Sequence, residues 1–184
     1  AVAPAVCPVG SLAAQTGQDP GPWSGRFGRP GDGLPPGERG TPNMEVVGHI
    51  PLGGYLHVAD VEIEQELDRP FAYVSKRFTP TGIDVVSLED EEHPEVIWRW
   101  RMENAELHLG SGALDGRYFK HDGRYYLVQS FQFGQGGPNP DLGAIVFDVT
   151  SLPDTSGIRE VGRIQSPDID GGFHNIYMYK HSDG

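Results

Sequence analysis

"GIDVVSLEDEEHPEVI" runs from Gly82 to Ile97, and "IVFDVTSLPDTSGIREVGRI" runs from Ile145 to Ile164. Each opens on an apolar run carrying an Asp (Asp84, Asp148). A Ser or Thr follows, then a Leu, an acidic loop containing Pro, and a second apolar run. Short apolar runs bounded by turn formers read as strands. Each stretch is therefore a strand, a turn and a strand, and its recurrence points to duplication of a structural unit. Asp84 aligns with Asp148.

The similarity extends outward. "FAYVS" at Phe71 matches "YYLVQS" at Tyr125, and "YLHVAD" at Tyr55 matches "ELHLGS" at Glu106. "GFHNIY" at Gly172 opens the same motif again. Further strand-like runs are "MEVVGHIPL" from Met44 and "EVIWRWRM" from Glu95, with "DRP", "TPTG", "EDEEHP", "DGRYFKHDG" and "GQGGPNPDLG" as separators. No stretch reads as an amphipathic helix. Two meanders of four strands result, at about 55–102 and 106–165, with a third begun at 172–184. Runs such as "AIVF" are nearly continuous, which suits strands covered on both faces. Four-stranded sheets stacked radially form a β-propeller. The expected fold is all-β: antiparallel four-stranded blades of a partial β-propeller over 44–184, comprising two blades and the first strand of a third.

The two quoted stretches resemble the LVIVD repeat, which is found in bacterial and archaeal extracytoplasmic proteins and thought to build propeller blades. The resemblance covers about residues 44–184. It implies a propeller-like fold and a periplasmic, cell-surface or secreted location. Both copies depart from the tighter spacing of that repeat, the second through the inserted "GQGGPNPD" loop.

Residues 1–43 differ in kind. They hold eight of the 16 prolines and nine of the 26 glycines. Pro lacks the ladder donor and Gly costs entropy, so this segment is expected to be an extended Pro/Gly-rich arm, with Trp23, Phe27 and Leu34 as anchors against a partner or its own domain. The start at Ala1 fits removal of a leader. Cys7 is the only cysteine, so no internal disulfide can form. It lies within the tail, after Val6, which makes it a poor site for a lipid anchor. The net charge of −12 falls almost wholly on the β region and repels nucleic acid and anionic membranes. No window supplies the apolar length of a membrane-spanning helix.

The sequence ends on an apparent strand, "FHNIYMY", and a turn, "SDG", at the start of a third repeat. Propellers usually close with about four to eight blades, and an open strand edge invites pairing. The edge is expected to be occupied, by further blades or by a protein partner.

His57, His108 and His174 stand at matching places in the three repeat openings. Innermost propeller strands converge, so three imidazoles gathered there could bind Zn, Cu or Fe. The favoured reading is that a repeated His is a repeated structural device, bonding a neighbouring backbone. Asp84 and Asp148, inside apolar strands, need hydrogen-bond partners and are read as turn-stabilising rather than catalytic. "PDIDGG" from Pro167 lacks the later acidic ligand of a calcium loop. In "EVIWRWRM", Trp98, Trp100 and Met102 share one face and Arg99 and Arg101 the other, a pattern for packing between blades. No nucleophile elbow is present, "EDEEHP" reads as a solvated loop, and "FGQGGPNPDLG" opens no helix that could cradle phosphate.

These features imply a non-catalytic extracytoplasmic binding or scaffold protein with no cofactor, an accessory subunit of a larger, membrane-associated complex. Its protein partner would run along the arm or the open edge. The alternative is a metal-dependent enzyme with the His cluster at the propeller centre.

Overall fold

The computed structural model describes residues 43–54, 56–78, 80–107, 111–133, 142–165, 167–168, 171–179 and 181. Ala1–Val46 and Val47–Gly184 are separate compact units. The arm, with Cys7, Trp23, Phe27 and Leu34, lies outside the described residues, as do the inserted loop at 134–141 and the terminal "SDG".

Two four-stranded antiparallel meanders make up the second unit. Sheet 1 is β1 (Val58–Ile63), β2 (Phe71–Lys76), β3 (Gly82–Ser87) and β4 (Glu95–Arg101), paired in that order. Sheet 2 is β5 (Ala113–His121), β6 (Arg124–Phe131), β7 (Leu142–Asp148) and β8 (Arg159–Gln165). Among the described residues the only helical turns are Ala105–Leu107 and Thr155–Gly157. The protein is all-β.

Three local expectations change. "MEVVGHIPL" forms no strand; its Ile50 and Leu52 instead pack on Ala72, Val74 and Val86. "DGRYFKHDG" is no separator, because β5 runs straight through it. The turn is Asp122-Gly123 alone, with φ of 48° and 72° between the paired His121 and Arg124. Those positive angles are the type I′ hairpin geometry that Asp-Gly favours. In "FHNIYMY" no residue joins a strand ladder; the adjacent Gly172 makes an isolated bridge to Gln132.

The duplication is visible in the register, although not in the alignment that the sequence suggests. Val58 pairs with Lys76 and Val61 with Val74, with a register shift between them. Ala113 pairs with Phe131 and Gly116 with Gln129, with the same shift. On the other side, Val85↔Trp98 and Val86↔Val96 enclose a second shift, reproduced by Val146↔Gly162 and Phe147↔Glu160. These ladders make Val61 equivalent to Gly116, Tyr73 to Val128, Ile83 to Ala144 and Trp98 to Gly162. Asp84 is then equivalent to Ile145, and Asp148 to Ser87. The expected pairing of Asp84 with Asp148 is three residues out along β3 and β7. An odd shift turns every side chain to the opposite face. The loops do align as expected. Asp90 accepts from the backbone N–H of Glu92 and His93, and Asp154 from that of Ser156.

The alternation of each strand builds the core between the sheets. Phe71, Tyr73, Ile83 and Val85 from sheet 1 join Leu127, Phe131, Ile145 and Phe147 from sheet 2 in one buried cluster. Trp100 lies 5.7 Å from the Phe131 ring and 5.2 Å from Phe147, and Trp98 packs edge-on against Phe147. Met102 joins the same cluster. Arg99 and Arg101 face the other way, towards Asp84. The Trp/Arg alternation is thus inter-sheet packing.

Candidate functional site

Three polar groupings organise the molecule, and two of them join the sheets. Arg69 follows the Leu67–Asp68 turn and is buried with Glu64, Nε to Oε2 at 2.5 Å and Nη2 to Oε1 at 3.0 Å. The same guanidinium crosses to sheet 2. It donates to the carbonyls of Val149 at 3.0 Å, Leu152 at 3.3 Å and Thr150 at 3.4 Å, and lies 3.9 Å over the Tyr125 ring. Tyr73 donates its hydroxyl to Glu64, and burial beside that carboxylate raises the phenol well above its ordinary value. Tyr118 is raised by burial and by its bond to Glu66. Such a fully partnered group fixes geometry.

The second grouping runs along the first strands of the repeats. The Asp60 carboxylate accepts the backbone N–H of Gly116 at 3.1 Å, and Glu62 accepts that of Tyr118 at 3.2 Å. Both numbers rise together, so β1 and β5 lie parallel across the junction. Asp115, equivalent to Asp60 by register, accepts the N–H of Ile176 at 2.8 Å. One carboxylate bond therefore recurs from β1 to β5 and from β5 to the segment 171–179. Arg117 threads this row, 2.6 Å from Asp115 and 3.3 Å from Asp60. Sequence reasoning missed it. The signal was "GALDGRYFKHDG" from Gly112 against "GFHNIYMYKHSDG" from Gly172, which match at Gly and Lys-His and, past one inserted Ser, at Asp-Gly.

The third grouping is a cavity of about 250 Å³ on the face of sheet 1 turned away from sheet 2. Lys76, Arg99, Arg101, His57 and Asp84 line it. Asp84 is 4% exposed and takes Arg101 Nη2 at 2.5 Å; Arg99 Nε stands 3.9 Å away. Lys76 donates to the Leu52 carbonyl, and burial lowers its pKa against the opposing pull of Asp84. Asp148 is held differently. Burial pushes its carboxyl up, but hydrogen bonds from Thr150 and Arg124 outweigh this and hold it far below the usual carboxylate range.

The histidines part company. His57 lines the cavity and meets Phe78 edge-on at 6.0 Å. His174 Nδ1 pairs with Gln132 Oε1 at 2.8 Å, while its carbonyl accepts from Ser130 on sheet 2. His108 lies outside the described residues. By register His57 is equivalent to Gly112. Among the described residues no group of three or more His, Cys, Asp or Glu is arranged to hold a metal. No described helix is long and apolar enough to cross a membrane.

Comparison with protein-family models, with curated proteins and with solved structures finds no match to this chain.

Proposed function

We propose that the chain is a non-catalytic scaffold of β-propeller-type blades that binds a protein through the outer face of sheet 2. The observation that carries this reading is the repeated carboxylate-to-amide bond, Asp60 to Gly116 and Asp115 to Ile176. A device that joins one repeat to the next is already engaged on that side. The outer face of sheet 2 has a matching character. Tyr126, Val128, Ala144, Val146 and Ile164 are the register equivalents of Phe71, Tyr73, Ile83, Val85 and Trp100, which pack the junction between the sheets. Val128 and Ala144 are buried, whereas Ile164 is 44% exposed. An apolar sheet face of this kind accepts a further layer. The LVIVD-like motifs fit the same architecture and an extracytoplasmic accessory subunit.

A photo-crosslinking residue at position 164 tests the reading in the native source. The expected product joins position 164 to another polypeptide or to further repeats, and a control at exposed Glu95 gives none. Crosslinks confined to residues 1–184 of the same chain would overturn it. Stoichiometric Zn, Cu or Fe that disappears in His108→Ala would favour the metal-dependent enzyme instead.

A further inference from the structure

The register equivalence shows where sheet 1 abandons the pattern of sheet 2. On the side of sheet 2 that receives Trp98 and Trp100, the acceptor positions are Phe131, Ile145 and Phe147. Their equivalents on the outer face of sheet 1 are Lys76, Asp84 and Val86. Two of three apolar seats have become an ammonium and a carboxylate, both nearly buried. Another sheet of the same kind, bringing its tryptophans, would meet the paired Asp84 and Arg101 and the Lys76 ammonium where sheet 2 offers apolar side chains. This face is not a copy of the stacking surface. Positions that break the local rule of a repeat are where function is grafted.

A second substitution points to what the cavity accepts. Arg163 of sheet 2 is held bidentately by Glu160, at 2.6 and 3.0 Å. The register equivalents are Arg99 and Val96. Sheet 1 keeps the arginine and has lost its carboxylate. Among the described residues Arg99 is left with the single 3.9 Å approach of Nε to Asp84, its side chain 60% exposed at the rim. Lys76, Arg99 and Arg101 together set three cations against one carboxylate, in a chain whose net charge is −12. Pro51, Leu52 and Pro80 supply an apolar wall.

We propose that this cavity binds an oxyanion, a carboxylate or phosphate group on a small apolar body. Arg99 is the clamp, Lys76 supplies charge at the floor, and the two prolines with Leu52 cover the body. Arginine's planar fork suits either head group. The site lies on the opposite side of sheet 1 from the inter-sheet core, so it stands or falls independently of the scaffold reading.

Titration calorimetry of the full chain with benzoate and, separately, with inorganic phosphate tests the site. Saturable binding is expected for at least one, weakened at least tenfold by Arg99→Gln and unchanged by Arg163→Gln. Because Arg99 is exposed, its variant should unfold at the wild-type temperature, which separates lost binding from lost fold. Benzoate alone would assign a carboxylate ligand, phosphate alone a phosphoryl one. No saturable binding of either, or equal weakening by the two variants, overturns the proposal.

Discussion

Sheets 1 and 2 share strand order, pairing register and the positions of two register shifts, yet equivalent positions hold different chemistry. Tyr73 corresponds to Val128, Trp98 to Gly162, Lys76 to Phe131 and Asp84 to Ile145. Backbone hydrogen bonding and the hairpin connections specify the meander, and they tolerate many side chains provided each face keeps its role. What a face meets then decides its residues. The inner face of sheet 1 meets sheet 2 and carries large aromatics. Its equivalent on sheet 2 carries smaller apolar residues, and its opposite side carries ions.

Arg69 and Arg124 are the sharpest instance, because they hold equivalent positions, Arg69 just before β2 and Arg124 at the first residue of β6. Arg69 is buried and reaches forward to three carbonyls of the next sheet. Arg124 turns to Asp148 of its own sheet and is 46% exposed. Arg69→Met should cost about 3–5 kcal/mol, because it strands the buried Glu64 charge. Arg124→Met should cost less, about 1–2 kcal/mol, because the buried Asp148 keeps the Thr150 N–H and Arg159 as partners. Chemical denaturation of the two variants would measure this contrast, and equal losses would mean that Arg69 is no junction.

A smaller effect is expected at Trp100 and its equivalent Ile164. Trp100 is partly exposed but sits between Phe131 and Phe147, so Trp100→Ala should cost about 2–3 kcal/mol, at or below the range for buried aromatics. Ile164→Ala, at an exposed position, should stay within about 0.5 kcal/mol in the isolated chain. A loss at Ile164 that approaches the loss at Trp100 would show that the outer face of sheet 2 is already covered.

The all-β class and most strands could be read from period and turn chemistry, because β2, β3, β6 and β7 are apolar runs between clear breakers. The pairing of Asp84 with Asp148 could not. Sequence similarity rewards identical letters and finds the loops, where Asp90 and Asp154 do align, then carries that alignment back into strands offset by three residues. Only the ladder reveals the offset. The text match of "LHV" with "LHL" carries the same offset, since the register makes His57 equivalent to Gly112. The Trp/Arg alternation of β4 was legible because faces within one strand need no alignment. The cavity was not. Its residues come from β2, β3, β4, Pro51–Leu52, His57 and Pro80, and no motif links them.

The smallest difference lies at the end of the third strands, where sheet 2 has Asp148 and sheet 1 has Ser87. Asp148 titrates below its unfolded-state value of about 3.9, because Thr150 and Arg124 favour the ionised form despite burial. A depressed folded-state pKa adds stability that is complete above the unfolded value and is lost as pH falls through the folded one. Asp148→Asn should therefore be about 1 kcal/mol less stable than wild type at neutral pH, and the gap should close below about pH 4. Thermal melts at a series of pH values would read it. A gap that stays constant down to about pH 2 would show that Asp148 acts through shape and not through charge, which would make the two strand ends alike after all.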